Sequence, residues 1–98
     1  RYKGRPLLKV STKVLEKTAI KKVMPVAPVG VRASGVVRVR LWVDIEGKVV
    51  EAKVVSGHPM LRDSALKAAS QWKWKEVECI NGVPPIVVGV LNFDFPKN

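Results

Sequence analysis

Cysteine and histidine are almost missing: Cys79 and His58 are the single residues of their kinds in a 98-residue chain. One cysteine cannot close an internal disulfide or build a cysteine-rich metal site. One histidine removes Cys-His and Ser-His-Asp designs unless it meets that cysteine in the fold. Cys79 is expected as a small buried hydrophobe, and His58 as a turn residue near a helix start. Long apolar runs are missing too. Ile86 to Leu91 and Leu41 to Val43 have strand length, well short of the ~20 residues that a transmembrane helix needs. No signal-peptide pattern opens the chain. It starts on Arg1, which suggests a fragment whose targeting and anchoring segments lie outside it. The paired acids Asp44 and Glu46 flank a turn, where so small a sheet rarely provides a pocket for acid-base chemistry. The expectation is therefore no catalytic residue, no metal ligand and no cofactor.

Acidic residues are also scarce, 8 against 18 lysines and arginines, for a net charge of +10. The excess is concentrated in residues 1–22, where Arg1, Lys3, Arg5, Lys9, Lys13, Lys17, Lys21 and Lys22 face only Glu16. Nucleic acid, anionic lipid and a solvated arm are the competing readings. Lysines every four residues from Lys9 to Lys21 alternate with apolar positions and do not form a block, which favours the solvated arm, dispensable for folding. With 47% hydrophobic and 27% charged residues, the chain has the composition of an ordinary globular domain with one core.

Residues 1–34 read as a basic arm and proline-containing connector, partly packed on a core domain of residues 35–98. Lys9 to Leu15 fits a strand and Leu15 to Val23 a short helix, and periodicity does not choose between them. Prolines restrict their preceding residues to extended geometry, so Met24 to Gly30 reads as an extended connector. From Gly35 the pattern sharpens. Val37, Val39, Leu41, Val43 and Ile45 share one parity, and Arg38, Arg40, Trp42 and Asp44 the other, as in a strand with one buried face. A Glu46-Gly47 turn then pairs Val43 with Val50, Leu41 with Ala52 and Val39 with Val54, so that each pair on the buried face is apolar. Pro59 suits a first helical position. Leu61, Ala65, Ala68 or Ala69, and Trp72 fall on one face of a helix running to Trp74 or Lys75. The Asn81-Gly82 turn and Pro84-Pro85 lead to a last strand, Ile86 to Phe95.

The expected fold is α+β: a three-stranded antiparallel sheet in the order second, first, last, with one main helix on one face and room for an extra N-terminal strand or short helix. The helix crossover makes the last strand an edge, with unpaired N–H and C=O groups that another extended chain can use.

The residues Gly35-Val36-Val37, Val43-Asp44-Ile45-Glu46-Gly47-Lys48-Val49, Val55-Ser56-Gly57-His58-Pro59-Met60-Leu61, Ala65 to Trp72 with Trp74, Asn81-Gly82-Val83-Pro84 and Leu91-Asn92-Phe93-Asp94-Phe95 resemble, in order and spacing, the TonB C-terminal domain family. The segment from Val26 to Ala33 departs from it, lacking the family's Tyr-Pro and carrying Gly30. The proline that usually follows the aromatic end of the main helix is also absent.

The resemblance implies a periplasmic docking domain of a TonB-like energy transducer, not an enzyme, anchored in the inner membrane by a segment outside this sequence. Through that segment it would meet a proton-motive complex. Its partner would be an extended segment of an outer-membrane transporter, added as a strand beside Val87, Val88, Gly89, Val90, Leu91, Asn92, Phe93, Asp94 and Phe95. A homodimer through the same edge is the rival occupant. A scaffold or sensor module with a different partner is the alternative function. A basic nucleic-acid-binding domain, suggested by Trp72-Lys73-Trp74-Lys75, is weaker, because tryptophans at a helix end more often belong to the core.

Overall fold

A computed structural model describes Tyr2 and residues 4–96. In chain order its elements are β1 (Leu7–Lys9), α1 (Thr12–Thr18), β2 (Gly35–Val43), β3 (Val49–Ser56), a 3-10 turn (Pro59–Leu61), α2 (Arg62–Ser70) and β4 (Ile86–Phe95). The strands form one sheet in the order β1-β4-β2-β3. The expected order of second, first, last is present, antiparallel throughout, but the sheet has a fourth member. Three residues of β1 pair parallel to β4, Leu7 with Ile86, Leu8 with Val87 and Lys9 with Val88, so the sheet is mixed. Both elements that were open in the arm form, each displaced toward the N-terminus. The Ser11 hydroxyl accepts the Val14 N–H at 3.2 Å and starts α1, which ends β1 after Lys9.

Alternation along β2 and β4 builds the core. Val37, Val39, Leu41 and Val43 face Phe93, Leu91, Gly89 and Val87 across the ladder, and all but Val87 are buried. Helix α2 covers that face with Ala65, Ala68 and Ala69, while Leu61 enters from the 3-10 turn. Small side chains let the helix approach the sheet closely. The Pro59 turn is capped by His58, whose Nδ1 accepts the Met60 N–H at 3.1 Å. Met24 to Pro28 forms neither helix nor ladder, as expected of a connector, but Val29-Gly30 turns the chain, with the Val31 N–H donating to the Pro28 carbonyl at 3.2 Å. Met24, Val26 and Val29 are exposed while Ala27, Val31 and Ala33 pack on the core.

The hairpin departs from expectation at its ends. Trp42 pairs with Glu51, Leu41 with Ala52, Arg40 with Lys53 and Val39 with Val54, but Val43 pairs with Val49 and the ladder shifts there. Val50 therefore leaves the core face and is 45% exposed. The cause lies in the turn. The Asp44 N–H donates to the Lys48 carbonyl at 2.9 Å, and Asp44 Oδ1 accepts the N–H groups of Glu46 at 2.9 Å and Lys48 at 3.0 Å. An Asx turn thus replaces the two-residue loop, and the extra length is absorbed as a bulge.

The main helix stops four residues short of Trp74. Trp72 and Trp74 lie beyond α2 in extended chain, yet both are buried. The Trp72 Nε1–H donates to the Val23 carbonyl at 2.8 Å and the Trp74 Nε1–H to the Leu15 carbonyl at 2.9 Å. Between them Lys73 exchanges backbone bonds with Lys21. These bonds to the arm compensate for the helical turn that is given up, a tertiary override of local preference. The Trp72 ring also meets Phe93 edge-on, with centroids 6.0 Å apart. The arm is therefore fastened to the core at Leu15 and Val23.

Candidate docking site

The Ile86 N–H donates to the Pro6 carbonyl at 2.9 Å and the Val88 carbonyl accepts the Val10 N–H at 3.0 Å. The backbone groups of Ile86 and Val88 thus point away from β2, toward β1. Alternation carries the same outward direction to Val90, Asn92 and Asp94. Beyond Lys9 no described strand lies against β4, because Ser11 turns the chain into α1. β4 is accordingly an edge over its C-terminal half only. The expectation of a free edge along the whole strand is corrected at Val87 and Val88, where β1 occupies the outer side.

The nine expected site residues divide three ways. Val90, Asn92 and Asp94 present outward backbone groups. Leu91, Phe93 and Phe95 turn their backbone toward β2 and their side chains into the core, so they support the edge without meeting an added strand through hydrogen bonds. Val87 and Val88 are paired with Leu8 and Lys9, and Gly89 lies beneath Leu15 and the Val10 carbonyl. Sequence reasoning allowed an N-terminal strand at Lys9 to Leu15 but did not place one at Leu7–Lys9 against Ile86 to Val88. The strand's signal is the Leu7-Leu8 pair after Pro6, too short for a period to be read.

The face of the sheet opposite α2 is covered at the Ile86 end, where the Tyr2 hydroxyl donates to Glu51 Oε1 at 2.8 Å, and is open from Arg38 to Arg40. Arg38, Arg40 and Trp42 project from β2, and Val88 and Val90 from β4. With Leu7 and Lys9 of β1 they line a groove. Arg38 Nε donates to Asn92 Oδ1 at 3.2 Å. Trp42 is half-buried on this face, opposite Val88 of β4.

No chemistry-bearing cluster competes with this edge. Among the described residues no three of His, Cys, Asp or Glu stand close enough to hold a metal, and no polar or charged residue is buried. Cys79 was expected to be buried and is exposed, because Glu78, Cys79 and Ile80 lead into a protruding turn. There Ile80 and Val83 exchange backbone bonds of 2.8 and 2.9 Å around Asn81-Gly82. The burial of Trp72 and Trp74 takes away the rings that base stacking would need.

The family profile of the Gram-negative bacterial TonB protein C-terminal matches residues 25–95. The chain belongs to this family. Comparison with curated proteins and with solved structures gives no match. The TonB C-terminal match contains β2, β3, α2 and β4, together with the extended connector from Pro25. It begins after β1 and α1, so the strand that covers Ile86 to Val88 lies outside the TonB-like segment. No helix among the described residues is long and apolar enough to cross a membrane.

Proposed function

We propose that this chain is the periplasmic docking domain of a TonB-like energy transducer, tethered to the inner membrane and its proton-motive complex through a segment N-terminal to it. It takes an extended segment of an outer-membrane transporter as an added strand along Val90 to Asp94. Family membership supports the role. The observation that carries the site is the set of outward backbone groups at Val90, Asn92 and Asp94, with no strand beside them among the described residues. Backbone pairing supplies attachment and alternate side chains supply selectivity. Nothing in this role requires a catalytic group.

Asn92→Pro removes one outward N–H and leaves the β2 ladder intact, as edge positions allow. Peptides copied from periplasm-facing segments of outer-membrane transporters should bind the parent chain and fail to bind this variant, with little change in its unfolding midpoint. Phe93→Pro, which breaks the inner ladder, should unfold the domain. Unchanged capture by Asn92→Pro rejects the edge. Dilution separates a homodimer on the same edge, since self-association strengthens with protein concentration and peptide binding competes with it.

A further inference from the structure

We infer that the open sheet face around Arg40 and Trp42 is a second docking surface, whose occupant is an acidic, extended protein segment. This rests on the face itself and not on the free backbone of β4. Arg40 stands directly across from Lys53 on β3 and from Val90 on β4. Like charges in opposite positions destabilise a strand pair. Lys53 reaches Glu51 at 3.9 Å and Arg38 reaches the neutral Asn92 amide, whereas Arg40 has no hydrogen bond or ion pair among the described residues. Lys9 adds a further cation from β1 across the same groove. A carboxylate laid on Arg40 would relieve that repulsion and accept the guanidinium fork in a two-bond geometry.

The floor beside these cations is apolar. Trp42, Val88 and Val90 are half-buried there, and Leu7 is 48% exposed. Apolar floor next to separated cations suits an extended chain that carries carboxylates between apolar side chains. A second copy of this chain would set Arg38 and Arg40 against cations of its own. Glu51 on the same face is already engaged by the Tyr2 hydroxyl at 2.8 Å and by Lys53 at 3.9 Å, so it does not neutralise Arg40.

The probe is the acetylated, amidated pentapeptide Glu-Val-Glu-Val-Glu, titrated by calorimetry near physiological salt beside its Gln and Lys counterparts. Only the Glu form should bind. Arg40→Glu should weaken it about tenfold, more than an exposed surface pair alone would give. Lys67→Glu, the same charge change on α2, should weaken it less than about twofold. In the parent chain the Arg40 Nε–H and Trp42 indole resonances should shift on titration, and Arg40→Gln gives a second variant should the reversal fail to fold. A backbone N-methylated form of the Glu peptide, which cannot pair with a strand edge, should bind as tightly as the parent peptide, which separates this face from the β4 edge. Equal losses in Arg40→Glu and Lys67→Glu, loss of binding on N-methylation of the peptide backbone, or anionic phosphatidylglycerol vesicles bound with the same Arg40 dependence would each overturn the inference.

Discussion

Leu15 occupies the space that a side chain at Gly89 would need. A Cβ built on Gly89 falls against Leu15 Cδ1 and Cγ, with the Val10 carbonyl oxygen 3.1 Å away. Leu15 itself is 2% exposed. The basic arm is thus part of the folded core, against the expectation that it is dispensable for folding. Leu15→Ala should cost roughly 2 to 5 kcal/mol and Gly89→Ala roughly 1 to 3. Gly89→Ala placed on Leu15→Ala should recover part of the loss, because the two residues share one volume. Urea unfolding of the four chains reads the coupling, and strict additivity would show that the contact is not formed.

Gly47 carries a second constraint. Its φ is +82°, and a Cβ there would run into the Trp74 carbonyl, which is backbone and cannot swing away. Gly47→Ala should destabilise by roughly 2 to 4 kcal/mol, strain and overlap together. Gly82→Ala, at φ +77° in open space, should cost about 1 kcal/mol. Equal losses at the two sites would mean that the hairpin turn does not dock on the chain after α2.

The hairpin register is open to a paired test. Leu41 is fully buried and Val50 is 45% exposed. Leu41→Ala should lose roughly 2 to 5 kcal/mol in denaturant unfolding, while Val50→Ala should stay within about half a kcal/mol. A large loss at Val50 would restore the unbulged register.

Trp74→Phe keeps a ring in the core and removes the N–H that reaches the Leu15 carbonyl at 2.9 Å. Leaving that acceptor unsatisfied should cost roughly 1 to 3 kcal/mol. Amide exchange should quicken in α1 more than in β2. Uniform acceleration would assign the effect to packing rather than to this bond.

Much of the fold was legible because period-2 alternation in β2 and β4 leaves a single choice of buried face, and because Pro59 and Asn81-Gly82 mark their turns locally. What escaped was set by contacts between distant segments. Trp72 continues the helical stripe of Leu61, Ala65 and Ala68, and no local signal says that Lys73 will pair with Lys21 instead. The Asp44 carboxylate that lengthens the hairpin is visible in the sequence, but its capture of two N–H groups depends on geometry. The candidate edge was legible through topology. Its shortening by β1 was not, since three residues carry no period.

The manner in which the arm joins the sheet has a mechanical consequence. Entering from Tyr2, the chain is held by the Tyr2 and Arg5 side-chain bonds to Glu51 and the Pro84 carbonyl, then by β1, then by the Leu15 and Val23 anchors under Trp74 and Trp72, and only then reaches β2. Tension from the N-terminal side would reach the three-residue β1 before either indole bond. Detaching β1 would strip the cover from Ile86 and Val88 and leave β2, β3 and β4 paired. The free edge would then run from Ile86 to Asp94 instead of Val90 to Asp94, so that a pull from the N-terminal side would lengthen the edge open to an added strand.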